Sequence, residues 1–434
     1  MVNISNGMAS PYKIAVVGLW HLGEIYSSGL ASLGHQVVGI SEDAAVIENL
    51  SKNIPPLAEP RLEDLIKSDV AAGRLSFTTD FSKVKDCNAL WLTFDTPVDD
   101  QDNVDLSVIY NALEKALPYL QTNSLVVITS QIPVGTSKKI RDLISQKKPG
   151  LEFDYVYTPE NLRLGEAVKC FLEPGRVVAG ADTDRAFSKI SEIFAPLKTE
   201  ILRMSVASAE MAKHALNAFL ATSLSFINDI ADVCEAVGAD VSDVARALRS
   251  DPRVGQKGYV DASLGFSGGT LGRDLRALEE IARDKGLDLP VITNVYFKNK
   301  NRLQKVLQKL NGELGSLEDK TIALFGITYK AGTSTLRRSQ ALEVAALLTA
   351  AGAKVKMHDP AAEREDISKD PYYAAKDASA VVLMTPWPEF KNLDFKKLKE
   401  QMRDPAVFYD TRNLLKDASR AIGEAGIKYI GLGR

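Results

Sequence analysis

Lys13-Ile14-Ala15-Val16-Val17-Gly18-Leu19-Trp20-His21-Leu22-Gly23 reads as a short apolar strand, a glycine turn and the start of a helix. The same sense of strand recurs at His35-Gln36-Val37-Val38-Gly39-Ile40, at 89–94 and at 124–129, with helical patterns between. Strands alternating with helices predict a parallel sheet covered on both faces, and near-continuous apolar strands fit a sheet buried on both sides. Lys320-Thr321-Ile322-Ala323-Leu324-Phe325-Gly326 restarts the pattern, followed by strands at 355–359, 380–384 and 407–410.

Between these halves the pattern is helical. Val206 to Val237 contains no proline, Ser205 is placed to cap its start and Gly238 to end it. A helix of ~30 residues spans ~45 Å. Further helical segments run to about Leu314. The predicted class is α/β: two Rossmann-like parallel-sheet domains joined by a central all-helical segment with one long helix. The expected domains are 1–204, 205–314 and 318–434.

The bulk numbers narrow the function classes. The chain has 434 residues, 45% hydrophobic and 25% charged, as in an ordinary multi-domain globular protein. A net charge of -3 provides no basic field for nucleic acid or an anionic membrane. Apolar runs are strand length, and Met1 to Tyr12 lacks a signal-peptide core. Cys87, Cys170 and Cys234 are too far apart for a disulfide framework or metal cluster, and the histidines are scattered. The expectation is a reduced, cytoplasmic protein without a metal.

Gly18-Leu19-Trp20-His21-Leu22-Gly23 sits where a dinucleotide fingerprint sits, after a strand and before a helix. In the usual G-x-G-x-x-G the second glycine lets the backbone approach a pyrophosphate at the helix N-terminus. Trp20 takes that position, and Ser41 stands where an acid usually holds the ribose 2′-OH, so NADP is less excluded than usual. An ordinary strand–helix turn that binds nothing is the alternative.

Several ordered motifs resemble those of the UDP-glucose/GDP-mannose (nucleotide-sugar) dehydrogenase family. Pro159-Glu160-Asn161-Leu162-Arg163-Leu164-Gly165 resembles its P-E-F-L-R-E-G, and 210–221 resembles its E-x-x-K-x-x-x-N-x-F-L-A. Asp251-Pro252-Arg253-Val254-Gly255 resembles D-x-R-I-G, 329–339 resembles F-K-x-x-T-D-D-x-R-x-S, and Asp410-Thr411-Arg412-Asn413 resembles D-x-R-N. The loop Gly265-Phe266-Ser267-Gly268-Gly269-Thr270-Leu271-Gly272-Arg273-Asp274 resembles G-F-G-G-S-C-F-P-K-D, with Thr270 where the family carries its nucleophilic cysteine.

The resemblance implies NAD(P)-dependent oxidation of a nucleotide sugar, a homodimer through the central helix, and a role in polysaccharide or glycan precursor synthesis. It assigns Lys213, Asn217, Asp274, Glu160 and Thr270 to the chemistry. Gly18, Leu19, Trp20, His21, Leu22, Gly23, Ser41, Thr96, Pro97, Ser130, Gln131 and Arg337 would meet the dinucleotide. Leu162, Arg163, Tyr259, Phe266, Ser267, Gly268, Lys330 and Arg412 would meet the sugar nucleotide, and Arg253 would reach across from a partner subunit.

Each residue also has a plainer reading. Lys213 and Asn217, four apart on one helix face, are a solvated lysine and a satisfied amide. Glu160 is the first acid of a helix after Pro159, and Asp274 caps a helix beginning at Leu275.

A thiol ionises appreciably near neutrality (pKa ~8.5) and a threonine hydroxyl does not. Gln131 and Leu164 also replace the family's threonine and second glutamate. The expectation is therefore an altered oxidation, with a two-electron product or a non-covalent second step. A non-catalytic nucleotide-sugar-binding protein is the competing class. A dehydrogenase of small hydroxy acids is a third, disfavoured by the second α/β domain.

Overall fold

The computed structural model describes residues 11–97, 99, 104–266 and 269–434. It divides into two compact units, Met1–Ala215 and Leu216–Arg434. Ser267, Gly268 and the first ten residues lie outside the described residues.

The first unit is built on an eight-stranded sheet: β1 (Lys13–Val17), β2 (Gln36–Ile40), β3 (Leu75–Thr78), β4 (Ala89–Leu92), β5 (Ser124–Ile128), β6 (Phe153–Tyr157), β7 (Val177–Gly180) and β8 (Ile201–Met204). Its order is β3-β2-β1-β4-β5-β6-β7-β8. All neighbours pair in parallel except β6 and β7, which meet antiparallel at Tyr157 and Gly180. The connection between them carries the helix Ala167–Leu172. Ile14 and Val16 enter the core on one face, and Ala15 and Val17 the core on the other. A strand buried on both sides reads as a continuous apolar run for this reason, and each buried Ile or Val side chain contributes about 1.5–3 kcal/mol.

Strand order reverses between β1 and β4, and ligands of open α/β sheets bind outside the carboxyl ends of strands at such a point. Gly18 follows β1 there, and Thr93 to Pro97 follow β4. The second unit repeats the design with β9 (Thr321–Phe325), β10 (Lys354–His358), β11 (Ile367–Ser368), β12 (Ala380–Leu383), β13 (Val407–Asp410) and β14 (Lys428–Gly431), in the order β11-β10-β9-β12-β13-β14. Its reversal lies between β9 and β12, where Gly326 at φ +82° has no room for a Cβ against the Thr385 carbonyl, 2.3 Å away.

The long helix spans Val206–Val237, as its sequence predicts. Ser205 Oγ accepts the Ser208 amide at 3.2 Å, and Gly238 ends the helix at φ +73°. The boundary between the two units falls within this helix. In the second unit the chain terminus is tied to it: Gly433 donates its amide to Glu235 Oε1 at 2.9 Å and accepts from Val241 N–H at 2.9 Å. Among the described residues no helix is long and apolar enough to cross a membrane.

Candidate active site

In the first unit the main chain turns sharply at Gly18 (φ +99°), and the helix His21–Ser32 begins three residues later. A Cβ at Gly23 would sit 1.8 Å from the Gly18 carbonyl oxygen, so only glycine lets the helix approach the strand this closely. Leu19 and Leu22 point into the core, whereas the Trp20 ring is 52% exposed. A bulky residue at position 20 is tolerated because its ring lies outside the turn. The Leu22 N–H, in the first turn of this helix, donates at 3.3 Å to Oδ2 of Asp95 from the loop after β4, an acid that the sequence reading did not single out.

At the end of β2 each polar residue is engaged locally. Ser41 Oγ accepts the Asp43 amide at 3.2 Å, Asp43 caps the helix Ala44–Ser51, and Glu42 pairs with Lys115. Beside β4 and β5, Ser130 Oγ accepts the Phe94 amide at 2.7 Å and Thr96 Oγ1 donates to the Gln131 carbonyl at 2.9 Å. The Pro97 carbonyl accepts the Asp105 amide at 2.8 Å. Thr96, Pro97, Ser130 and Gln131 thus converge on the carboxyl ends of adjacent strands.

Lys213 is buried on the long helix. Its Nζ donates to the Glu160 carbonyl oxygen at 2.6 Å and to Glu160 Oε1 at 3.0 Å. Glu160 Oε2 in turn accepts the Leu162 amide at 2.8 Å. Residues 158–166 are non-helical and the next helix starts at Ala167, so Glu160 is a loop carboxylate and not a helix N-terminal acid. Leu162 packs against the core, and Arg163 is largely exposed beside Glu166. One turn before Lys213 and directly after it, other members of the helix anchor the loop after β5. Glu210 accepts the Gly135 and Ser137 amides at 2.7 and 2.8 Å, and the His214 ring meets the Ile132 carbonyl at 3.0 Å.

In the second unit Asn217 Nδ2 makes a short hydrogen bond to Asp274 Oδ2, and both side chains are buried. Asp274 is not a helix cap. The helix runs Gly269–Lys285, so Asp274 lies in its second turn and Thr270 one turn before it. Phe266 is buried; its N–H donates to Asn299 Oδ1 at 2.8 Å and its carbonyl accepts from Asn299 Nδ2 at 3.0 Å. Asn228 Oδ1 accepts the Ser263 amide at 2.8 Å, which makes it an anchor of the same loop. Arg412, after β13, donates Nε–H to the Met384 carbonyl at 3.0 Å, and burial draws its guanidinium pKa down. It lines a cavity together with Leu264, Thr328, Tyr329, Gln340 and Thr385 at the carboxyl ends of β9 and β12.

Tyr259 is 48% exposed, and Lys330 and Arg337 are exposed in the loop after β9. Arg253 is held by Asp251 at 2.7 Å, and the guanidinium lowers the Asp251 pKa. No cluster of three or more metal-ligating side chains occurs among the described residues.

Four residues that the sequence reading names one by one thus meet in two polar pairs, Lys213–Glu160 and Asn217–Asp274, each with one member on the long helix. That reading gives no role to Glu210 and His214, which lie in the 210–221 motif, and does not name Asn299 or Asp95. Chemically, an ammonium and an amide N–H are donors suited to an oxygen that develops negative charge.

Three consecutive segments match the UDP-glucose/GDP-mannose dehydrogenase family: its NAD binding domain at residues 12–198, its central domain at 207–301 and its UDP binding domain at 323–417. The chain is 34% identical over 433 residues to a UDP-glucose 6-dehydrogenase of Bacillus subtilis, covering 97% of this chain and 93% of that protein. It is also 34% identical over 438 residues to the UDP-glucose 6-dehydrogenase of Rhizobium meliloti, covering 97% and 99%. A UDP-glucose dehydrogenase structure from Pyrobaculum islandicum superposes with a TM-score of 0.88 at 28% identity, covering 100% of this chain and 99% of that one. With its two switch-point sheets, its long helix and these matches along its length, the chain belongs to the UDP-glucose/GDP-mannose dehydrogenase family.

Proposed function

We propose that the chain oxidises a CH–OH group of a UDP-sugar with NAD and stops after one hydride transfer. The observation that carries this reading is the Lys213–Glu160 pair with its lysine buried, retained while Thr270 stands where the family's loop has cysteine. Two electrons and a hydrogen nucleus leave carbon together as hydride, the hydroxyl proton is released, and a carbonyl remains.

NAD supplies the hydride acceptor when bound. The turn fits its pyrophosphate: Gly18 bends, Gly23 permits close helix approach, and Trp20 keeps its ring in solvent. Gly18 to Gly23 would hold the phosphates, with Thr96, Pro97, Ser130 and Gln131 beside them; we assign Ser41 and Arg337 to the same ligand. Asp95 accepts the Leu22 amide at the same helix start.

Lys213 stabilises the developing alkoxide, and Glu160 holds the ammonium in place. Asp274 orients the Asn217 amide so that its remaining N–H can meet the substrate oxygen. Leu162, Arg163, Tyr259, Phe266, Lys330 and Arg412 take the sugar nucleotide. Thr270 offers a hydroxyl in place of a thiol, and a hydroxyl is a far weaker nucleophile near neutrality, so no covalent acyl step follows.

We assign residues 1–204 to the dinucleotide, 205–314 to dimerisation and 318–434 to the sugar nucleotide. Phe219, Phe226, Val233 and Val237 are exposed at near-heptad spacing along the long helix, which supports a homodimer, with Arg253 serving the partner's site. Three unpaired cysteines support a reducing, cytoplasmic location.

A panel of UDP-, GDP- and dTDP-sugars with NAD tests the reading. Nicotinamide reduction with a UDP-sugar is expected. Tight binding of a nucleotide sugar without any reduction would overturn it in favour of a non-catalytic binding protein.

A further inference from the structure

One side chain outside every motif links the glycine turn to the loop that carries Glu160. The Glu59 carboxylate is wholly removed from solvent. Its Oε1 lies 2.9 Å from His21 Nε2 and accepts the Gly165 amide at 2.7 Å. Its Oε2 accepts the Ala167 amide at 3.3 Å. His21 opens the helix that follows the glycine turn. Gly165, at φ +83°, closes the Glu160 loop, and Ala167 begins the next helix.

A continuous set of contacts therefore runs within the first unit, from His21 through Glu59 to Gly165. The 160–165 loop continues it to Glu160, which grips Lys213 through both its carbonyl and its carboxylate. A carboxylate serving only to hold the start of Ala167–Leu172 would need the two amides and nothing more. The imidazole of His21 is the added partner, and it belongs to the turn.

We propose that Glu59 is a positioning residue that couples occupancy of the glycine turn to the placement of Glu160 and Lys213, so that dinucleotide and nucleotide sugar bind cooperatively. This rests on the reading given under Proposed function. A phosphate at the start of the helix fixes the turn that carries His21. A fixed imidazole restrains the Glu59 carboxylate, and the carboxylate restrains the two amides that anchor the loop. The loop then presents Lys213 in one arrangement. Linkage makes the effect reciprocal: whatever NADH does for the sugar nucleotide, the sugar nucleotide does for NADH.

The test uses UDP-glucose and NADH, a pair that binds without reacting, on the full chain. Calorimetry gives the Kd of UDP-glucose alone and at saturating NADH, for the wild type, Glu59→Gln and His21→Gln. Saturation removes any direct loss of NADH affinity from the comparison. The wild type is expected to bind UDP-glucose about fivefold or more tightly with NADH present. Both variants should bring that ratio close to one. His21→Gln keeps the Gly165 and Ala167 contacts and decides the matter if Glu59→Gln does not fold.

A merely structural role would lower the melting temperature and leave the ratio alone, which would overturn the proposal. A wild-type ratio of one would do the same, while turnover with UDP-glucose would leave the proposed function standing. A wild type that binds no NADH at all would overturn both.

Discussion

Lys213 Nζ lies 2.6 Å from the main-chain oxygen of Glu160 and 3.0 Å from its Oε1, so a single loop residue holds the ammonium by backbone and side chain together. Lys213→Ala removes the cation from the reacting oxygen. Loss of one preorganised donor typically costs about 10²–10³ in kcat, and a loss of that order is expected here. Steady-state turnover with a UDP-sugar checks it, with UDP-sugar affinity measured alongside. A Kd change with kcat intact would mean Lys213 only binds.

Asn217 and Asp274 are expected to act as one unit. Their buried hydrogen bond leaves either side chain without this partner when the other is truncated. Asn217→Ala and Asp274→Ala should each lower kcat/KM strongly, and the double variant should lose much less than the product of the two. The coupling from such a cycle is expected in the range of about 0.5–3 kcal/mol. Independent effects would place the two residues in separate roles.

Stability should carry a signature of Glu24. Burial, with repulsion from Glu59 and Asp95, pushes this carboxyl up to about 9, against an opposing contribution from the Leu57 amide. Neither of its oxygens reaches solvent. The folded state therefore binds the proton more tightly than the unfolded chain does, and stability falls as pH rises from about 4.5 toward about 9. Glu24→Gln cannot ionise. It should unfold at a higher temperature than the wild type at pH near 8, and the gap should close toward pH 5. The slope between them is at most about 1.4 kcal/mol per pH unit. Parallel melting curves across that range would show that Glu24 does not titrate in this way.

The exposed stripe on the long helix gives a test of assembly. Phe219 is 68% exposed and Phe226 50% exposed, an unusual cost for a chain that stays monomeric. Phe226→Glu, or Phe219→Glu with it, should halve the mass seen by light scattering and leave the melting of each unit largely unchanged. A wild type that is already monomeric would contradict the dimer.

The parts of this structure legible in sequence are those governed by local chemistry. β1, β5, β9 and β12 are buried on both faces and read as apolar runs. The long helix is framed by Ser205 and Gly238 and lacks any breaker. β3, β6 and β8 escape the same reading because they mix polar with apolar residues. In Phe153-Asp154-Tyr155-Val156-Tyr157 the aspartate is buried, and Arg185 and Lys189, from a distant helix, make that tolerable. The site divides in the same way. Lys213 and Asn217 share a helix face by spacing alone, but Glu160 and Asp274 reach them across 53 and 57 residues. Glu59, Glu210 and Asn299 bind main-chain amides, which leave no pattern in the residues of either partner.

The central claim is that oxidation ends after one hydride because position 270 has no thiol. The most direct measurement is the ratio of reduced NAD to sugar nucleotide consumed, with the product identified by mass, for the wild type and for Thr270→Cys. The account predicts one reduced NAD per sugar and a carbonyl product for the wild type, with Thr270→Cys moving toward two and an acid. Two reduced NAD per sugar and a uronic acid from the wild type itself would contradict it.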